Sequence, residues 1–219
     1  MTHPVHSRYL AVPQSGYGPG VLVLHAWWGL NGFFREFCDR LAQAGFVALA
    51  PDLYSGKVAG TVAEAERLRD SWDEAQEAPP LVLAGLDALI QHPAVRGKGV
   101  GVIGFSMGGR WALWLAEQKP DLVRAVTVFY STGEGDFSQS KAAFQGHFAA
   151  QDPYEPEERV RALEKRLREA NRPANFYTYP GAGHWFFEKD RPEAYHPQAA
   201  KTAWDRTIAF LHESLDAMP

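Results

Sequence analysis

Short runs of β-branched and aliphatic residues, each followed by a stretch with helical spacing, recur along nearly the whole chain, and this alternation most restricts its fold. Val21-Leu22-Val23-Leu24, residues 46–50, Val100-Gly101-Val102-Ile103, and residues 125–129, 142–149 and 175–179 read as strands, with residues 8–12 a short edge strand. Apolar runs that do not alternate are expected of parallel strands buried on both faces. Between them lie helical segments. Residues 33–44 stop at Gly45, and Thr61-Val62-Ala63-Glu64 has capping-box spacing with Ala65, Leu68, Trp72 and Ala75 on one face behind it. Pro79-Pro80 is expected to break that helix and start another, with Val82, Leu86, Leu89 and Ile90 inward and Pro93 beyond its end. Residues 107–116 read as the next helix. Pro156 opens one with Val160, Leu163, Leu167 and Ala170 on its apolar face, and the last shows Trp204, Ile208, Leu211 and Leu215. Strand, helix, strand calls for parallel crossovers. The expected fold is therefore α/β, a mainly parallel sheet of about seven strands with helices on both faces. With no repeat, low-complexity tract or linker in 219 residues, a single domain over 1–219 is expected, with no room for a separate cap domain.

In open sheets of this kind the ligand sits beyond the carboxyl ends of the strands. The loop His25-Ala26-Trp27-Trp28-Gly29, the segment after residue 105, and the loops after Ala150 and Tyr179 should then share one edge. At the second of these, a buried strand runs into Gly104-Phe105-Ser106-Met107-Gly108-Gly109 and a helix follows. A turn that sharp crowds the backbone, and residues without a Cβ two before and two after the serine relieve the contact. Such a turn holds the Ser106 hydroxyl out of the sheet, at a helix start whose free N–H groups favour developing negative charge. Ser106 is the candidate nucleophile.

A serine hydroxyl needs a base, and the base needs a third group to fix its tautomer. His184, in Gly181-Ala182-Gly183-His184-Trp185-Phe186, follows the last strand in what reads as an exposed glycine-flanked loop. His3, His6, His92, His196 and His212 fall in termini, helix ends or proline-flanked turns, and His147 reads as a strand residue. His25 ends a strand, in a structural role or lining the site. Asp152, just past a strand and before Pro153, is the candidate acid, with Asp136 and Glu134 as fallbacks in a polar loop. The backbone N–H groups of Trp27 and Met107 are the candidate oxyanion hole. Trp28, Phe33, Tyr130, Tyr154 and Trp185 are the candidate pocket walls, which makes the expected pocket apolar. Arg35 and Arg110 could pair with carboxylates rather than with a substrate.

The net charge of −4 and the lack of any dense Lys/Arg block argue against nucleic acid and for a small-molecule partner. The lone cysteine, Cys38, shares a helical face with Phe34, Phe37 and Leu41, so it reads as core and fits a reducing compartment. Met1-Thr2-His3-Pro4-Val5-His6 lacks the apolar run of a signal peptide, and the apolar stretch at residues 21–30 is too short to span a bilayer. A cytoplasmic protein, monomer or homodimer, with no membrane partner is expected.

The order Ser106, Asp152, His184 is that of α/β-hydrolases. In Trp28-Gly29-Leu30-Asn31, Phe34-Arg35-Glu36, Ala50-Pro51-Asp52-Leu53-Tyr54, Gly104 to Gly109, Gln151-Asp152 and Gly181 to His184, the chain resembles the dienelactone hydrolase family. The likeness runs from Val21 to Leu215. It implies hydrolysis of esters or lactones through an acyl-enzyme, with no metal and no organic cofactor. A thioesterase, or a binding protein that kept the scaffold without turnover, stays open as an alternative. Two departures are coherent with each other. Members that open dienelactones carry a cysteine where this chain has Ser106, and a glutamate that manages the thiol where this chain has Ala26. Glu188 stands near the place of their substrate-binding arginine, which counts against an anionic lactone.

Overall fold

In a computed structural model, which describes residues 7–215, the chain runs β1 (Arg8–Ala11), β2 (Gly18–Leu24), α1 (Gly32–Gln43), β3 (Val47–Pro51), α2 (Val62–Asp70), α3 (Glu74–Ile90) and β4 (Val95–Phe105). It continues through α4 (Met107–Gln118), β5 (Val123–Phe129), β6 (Ala143–Gln151), α5 (Glu157–Glu169), β7 (Ala174–Gly183) and α6 (Pro197–Leu215). His3, His6 and the N-terminal stretch lie outside the described residues. All seven strands form one sheet in the order β1-β3-β2-β4-β5-β6-β7, parallel except for β1. This is the α/β-hydrolase fold. Among the described residues no helix is long and apolar enough to cross a membrane.

β4 sits centrally because Val100, Val102, Ile103 and Phe105 are buried whichever face they point to. Each such side chain contributes about 1.5–3 kcal/mol through burial. The sheet order turns back between β2 and β4, and this switch point opens a crevice at their carboxyl ends.

Helix starts follow their side chains. The Asn31 carboxamide accepts from the Phe34 N–H at the head of α1, and the Thr61–Glu64 capping box closes at the head of α2. The sequence expectation fails at the next junction: the break falls at Ser71-Trp72-Asp73, and Pro79 and Pro80 lie inside α3. Asp73 caps the new helix by accepting from the Gln76 N–H. The carbonyls of Ala75 and Gln76, which the prolines leave without a donor, belong to exposed residues that water can serve. α6 is rotated in part from the expected face. Its buried residues are Ala199, Ala200, Ala203, Thr207, Phe210, Leu211 and Leu215, so Leu211 and Leu215 face inward as expected, while Ile208 is half-buried and Trp204 sits half-buried at its shoulder under the Arg40 guanidinium, 3.9 Å from the ring centroid.

Candidate active site

The turn from β4 into α4 holds Ser106 at φ 48° and ψ −114°, a left-handed conformation costing a non-glycine residue about 1–3 kcal/mol. The surrounding backbone dictates which residues can flank it. A Cβ on Gly104 would lie 2.3 Å from the Gly108 carbonyl oxygen, and one on Gly108 would lie 2.2 Å from that of Leu24. The glycines thus let α4 close onto β4 and onto the end of β2. The Ser106 N–H donates to the Phe129 carbonyl, tying the turn to β5 (3.0 Å).

β6 and β7 supply the other two side chains through their register. After a shift near Ala149, the strands pair again at Gln151 opposite Gly183, so Asp152 and His184 each stand one residue past that pair. This corrects the expectation of a loop after Tyr179: the glycines prolong β7, and His184 is only 6% exposed. His184 Nδ1 donates to Asp152 Oδ2 at 2.7 Å, and Ser106 Oγ donates to His184 Nε2 at 3.0 Å. Asp152 Oδ1 accepts from the N–H groups of Tyr154 and Glu155, which fixes the carboxylate against the ring (2.9 and 3.0 Å). The fallback acids are placed elsewhere. Asp136 caps its own loop by accepting from the Ser138 N–H, and Glu134 lies on the cavity wall.

Trp27 and Met107 both line the space onto which Ser106 opens. Met107 is the first residue of α4, so its N–H has no partner within the helix. Trp27 starts the turn that the Gly29 N–H closes onto the Ala26 carbonyl, and among the described residues its own N–H has no backbone partner. The Met107 side chain is held by the buried Tyr54 hydroxyl, 3.3 Å from its sulfur.

Ser106 and His184 open onto a cavity of about 580 Å³. Of the five expected wall residues, Tyr154 and Trp185 line it, joined by Trp27, whose ring stacks on Trp185 at 5.8 Å. Trp28, Phe33 and Tyr130 do not. Phe33 faces the sheet from α1 and packs edge-on against Phe34 and Phe105 (5.1 and 6.1 Å). Trp28 is buried behind Trp185 with the Arg191 guanidinium 3.8 Å over its ring. Tyr130, at φ 39°, turns its ring behind His184. The expectation of an apolar pocket also fails, because the lining also carries Arg69, Glu74, Arg110, Glu155, Arg159 and Arg166, with the Arg69 guanidinium 5.8 Å from the Trp27 ring centroid. Arg110 pairs with Glu74 at 3.0 Å, and Arg166 donates to the Gly133 carbonyl at 3.0 Å. Arg159, Ala162 and Arg166 recur at i, i+3 and i+7 on α5, a spacing that places them on one face, flanking the helix's apolar stripe.

Glu188 is the other residue whose place the sequence does not reveal. It is fully buried, turned from the cavity, and accepts from the Tyr130 hydroxyl at 2.6 Å. Burial pushes its carboxyl up to about 8, against the opposing pull of the Tyr130 hydrogen bond. His25 proves structural: its Nδ1 donates to the Ala26 carbonyl (2.7 Å) and its Nε2 accepts from the Leu53 N–H (3.0 Å). Cys38 is core, and burial pushes its thiol up to about 12. Arg35 lies over the Tyr9 ring, while Glu36 pairs with Lys189.

Comparison with known proteins places the chain among relatives. The model of the dienelactone hydrolase family matches residues 7–215. "Protein usf" of Aquifex pyrophilus is 34% identical over 215 residues, covering 94% of this chain and 93% of its own. A "Probable 2-oxo-3-(5-oxofuran-2-ylidene)propanoate lactonase" of a Bradyrhizobium species is 32% identical over 221 residues, covering 93% and 87%. The solved structure of a "Putative Dienelactone Hydrolase" from Klebsiella pneumoniae superposes with a TM-score of 0.81 at 27% identity, covering 94% of this chain and 92% of that one.

Proposed function

Because the chain belongs to the dienelactone hydrolase family, we propose that it hydrolyses carboxylic esters or lactones through a serine acyl-enzyme, with Ser106, His184 and Asp152 as the catalytic residues. The observation that carries this reading is the continuous relay from Asp152 Oδ2 through both imidazole nitrogens to Ser106 Oγ, with links of 2.7 and 3.0 Å. Asp152 fixes the tautomer that leaves Nε2 free to accept, which is the form a general base requires.

In the first half-reaction Ser106 Oγ attacks the carbonyl carbon as His184 Nε2 takes the hydroxyl proton. The oxygen that gains charge meets the N–H groups of Trp27 and Met107, and loss of one such donor typically costs about 3–4 kcal/mol of transition-state stabilisation. His184 then gives its proton to the leaving alkoxide as the carbon–oxygen bond breaks. Water attacks the acyl group in turn, delivering its proton to His184, and the acid departs as Ser106 recovers its hydrogen. For a lactone, both products of the first step are one molecule. The three stacked or edge-on aromatic rings of Trp27, Tyr154 and Trp185 offer the acyl or aryl group its apolar contact.

Ser106 beside Ala26 supports a hydroxyl nucleophile rather than a thiolate, because no carboxylate stands at position 26 to manage a thiol. Ser106→Ala is expected to abolish the burst and turnover on a p-nitrophenyl ester, and a fluorophosphonate probe to label wild-type Ser106. A panel of small esters, thioesters and lactones then ranks the substrate classes. Near wild-type turnover by Ser106→Ala would overturn the assignment. An unlabelled Ser106, in a protein whose melting point still rises with an ester analogue, would favour a binding protein on the hydrolase scaffold.

A further inference from the structure

We propose that Tyr130 and Glu188 are positioning residues for His184, a buried brace that fixes the imidazole between Asp152 and Ser106; this rests on the serine-hydrolase reading above. Three aromatic rings surround the imidazole. Tyr154 and Trp185 stand on its cavity side, with centroids at 4.9 and 5.0 Å, and Tyr130 stands on its buried side at 4.8 Å. The two cavity rings sit at the mouth, and Tyr154 is 46% exposed, so they are free to respond to a ligand. Tyr130 is not. It is fully buried, with Phe186 edge-on to it at 5.6 Å, and its hydroxyl is spent on Glu188 at 2.6 Å.

The geometry ties two chain segments that the reaction needs in register. Tyr130 directly follows β5, next to the strand that ends one residue before Ser106, and its N–H donates to the His147 carbonyl at 2.7 Å. Glu188 lies four residues beyond His184 in the same turn, its N–H donating to the Trp185 carbonyl at 2.9 Å. One hydrogen bond therefore fastens the turn carrying the base to the strand beside the nucleophile. Side chains chosen for core stability alone would not look like this. A carboxyl and a phenol in a dry interior are costly groups, and Tyr130 holds a positive φ unfavourable to a bulky residue. Of the five non-glycine residues with left-handed φ among the described residues, three, Ser106, Tyr130 and Trp185, stand at the relay, the others being Ser55 and Asn171. The charged groups acting on Glu188 are Asp190 and Arg191 from its own turn.

Tyr130→Phe, Glu188→Leu and Glu188→Gln test the brace on a p-nitrophenyl ester and by the rate of fluorophosphonate labelling of Ser106. Displacement of a reacting group by a fraction of an ångström to one ångström costs up to about 100-fold, so Tyr130→Phe and Glu188→Leu are expected to lower kcat about 10- to 30-fold. KM should stay within about twofold and labelling should slow in step with kcat. Glu188→Gln keeps an acceptor for the phenol and should return kcat to within about threefold of wild type. A kcat in Tyr130→Phe within twofold of wild type overturns the proposal, as does Glu188→Gln being as slow as Glu188→Leu. Tyr130→Phe removes one oxygen atom, so it decides the question should Glu188→Leu not fold. Ser106→Ala in the same assay separates the two ideas: if it stays active the hydrolase reading falls and takes the brace with it. If it is inactive while Tyr130→Phe is normal, the brace alone falls.

Discussion

Histidines end up at the carboxyl side of this sheet in two kinds of surroundings, and His147 and His184 show what separates them. Both are buried, His147 on β6 and His184 one residue past the end of β7, with both ring nitrogens hydrogen-bonded. His147 Nδ1 accepts from the Tyr179 hydroxyl at 2.8 Å, and its Nε2 donates to Gln145 and Thr207 at 3.0 and 3.1 Å. Every partner is neutral. Burial, with the nearby Arg206 charge, pushes its pKa down to about 3, so the ring stays uncharged and inert. His184 instead has a carboxylate on Nδ1 and a hydroxyl facing a cavity on Nε2. What suits His184 to the proposed role of base is the partner on its far nitrogen and access on its near one, not burial.

The largest effect expected from breaking this contrast is at the carboxylate. Asp152→Asn should lower kcat by about 10³–10⁴, because an amide that offers its N–H to the ring favours the wrong tautomer. Steady-state kinetics on the p-nitrophenyl ester measure it, and a loss below tenfold would mean that His184 does not depend on Asp152. Next comes the inert histidine. His147→Leu strands the Tyr179 and Gln145 polar groups in the interior, and should cost about 2–4 kcal/mol in denaturant unfolding while leaving kcat within threefold. A large kcat loss with unchanged stability would erase the distinction.

The smallest effect sharpens the comparison through pH. The folded-state pKa of His147 lies below its unfolded value of about 6.5, so the unfolded chain takes up the proton first as pH falls. The stability that the neutral ring supports is complete above that value and is lost toward pH 3. Between pH 7 and 5 the wild type should lose about 2 kcal/mol more than His147→Leu. Glu188, with its pKa raised, acts in the opposite direction over that range, so the difference between the two proteins, rather than either curve alone, isolates His147. Parallel curves would show that His147 does not titrate differently on folding.

Much of the site is legible in the sequence because its signals are local. The elbow around Ser106 needs glycines two residues to each side, and a proline after Asp152 marks a strand end, whereas the glycines before His184 fall inside β7. Side-chain direction is not legible. Trp28, Phe33 and Tyr130 sit in site-bearing segments yet point into the interior, since a loop's sequence does not state which way each residue turns. The junction at Ser71 escapes the sequence for a similar reason: prolines inside α3 are tolerated where water reaches the carbonyls they abandon, and exposure belongs to the tertiary structure.

By itself, then, the sequence determined what short-range physics encodes: the alternation of strands and helices, the strained turn under Ser106, and the residue types able to act as base and acid. Only the tertiary structure decided which of them meet. The renewed pairing of Gln151 with Gly183 sets Asp152 beside His184, and the fold joins Tyr130 to Glu188 across 58 residues. Such contacts depend on strand register and packing direction, which are set by the whole sheet rather than by any one stretch of it.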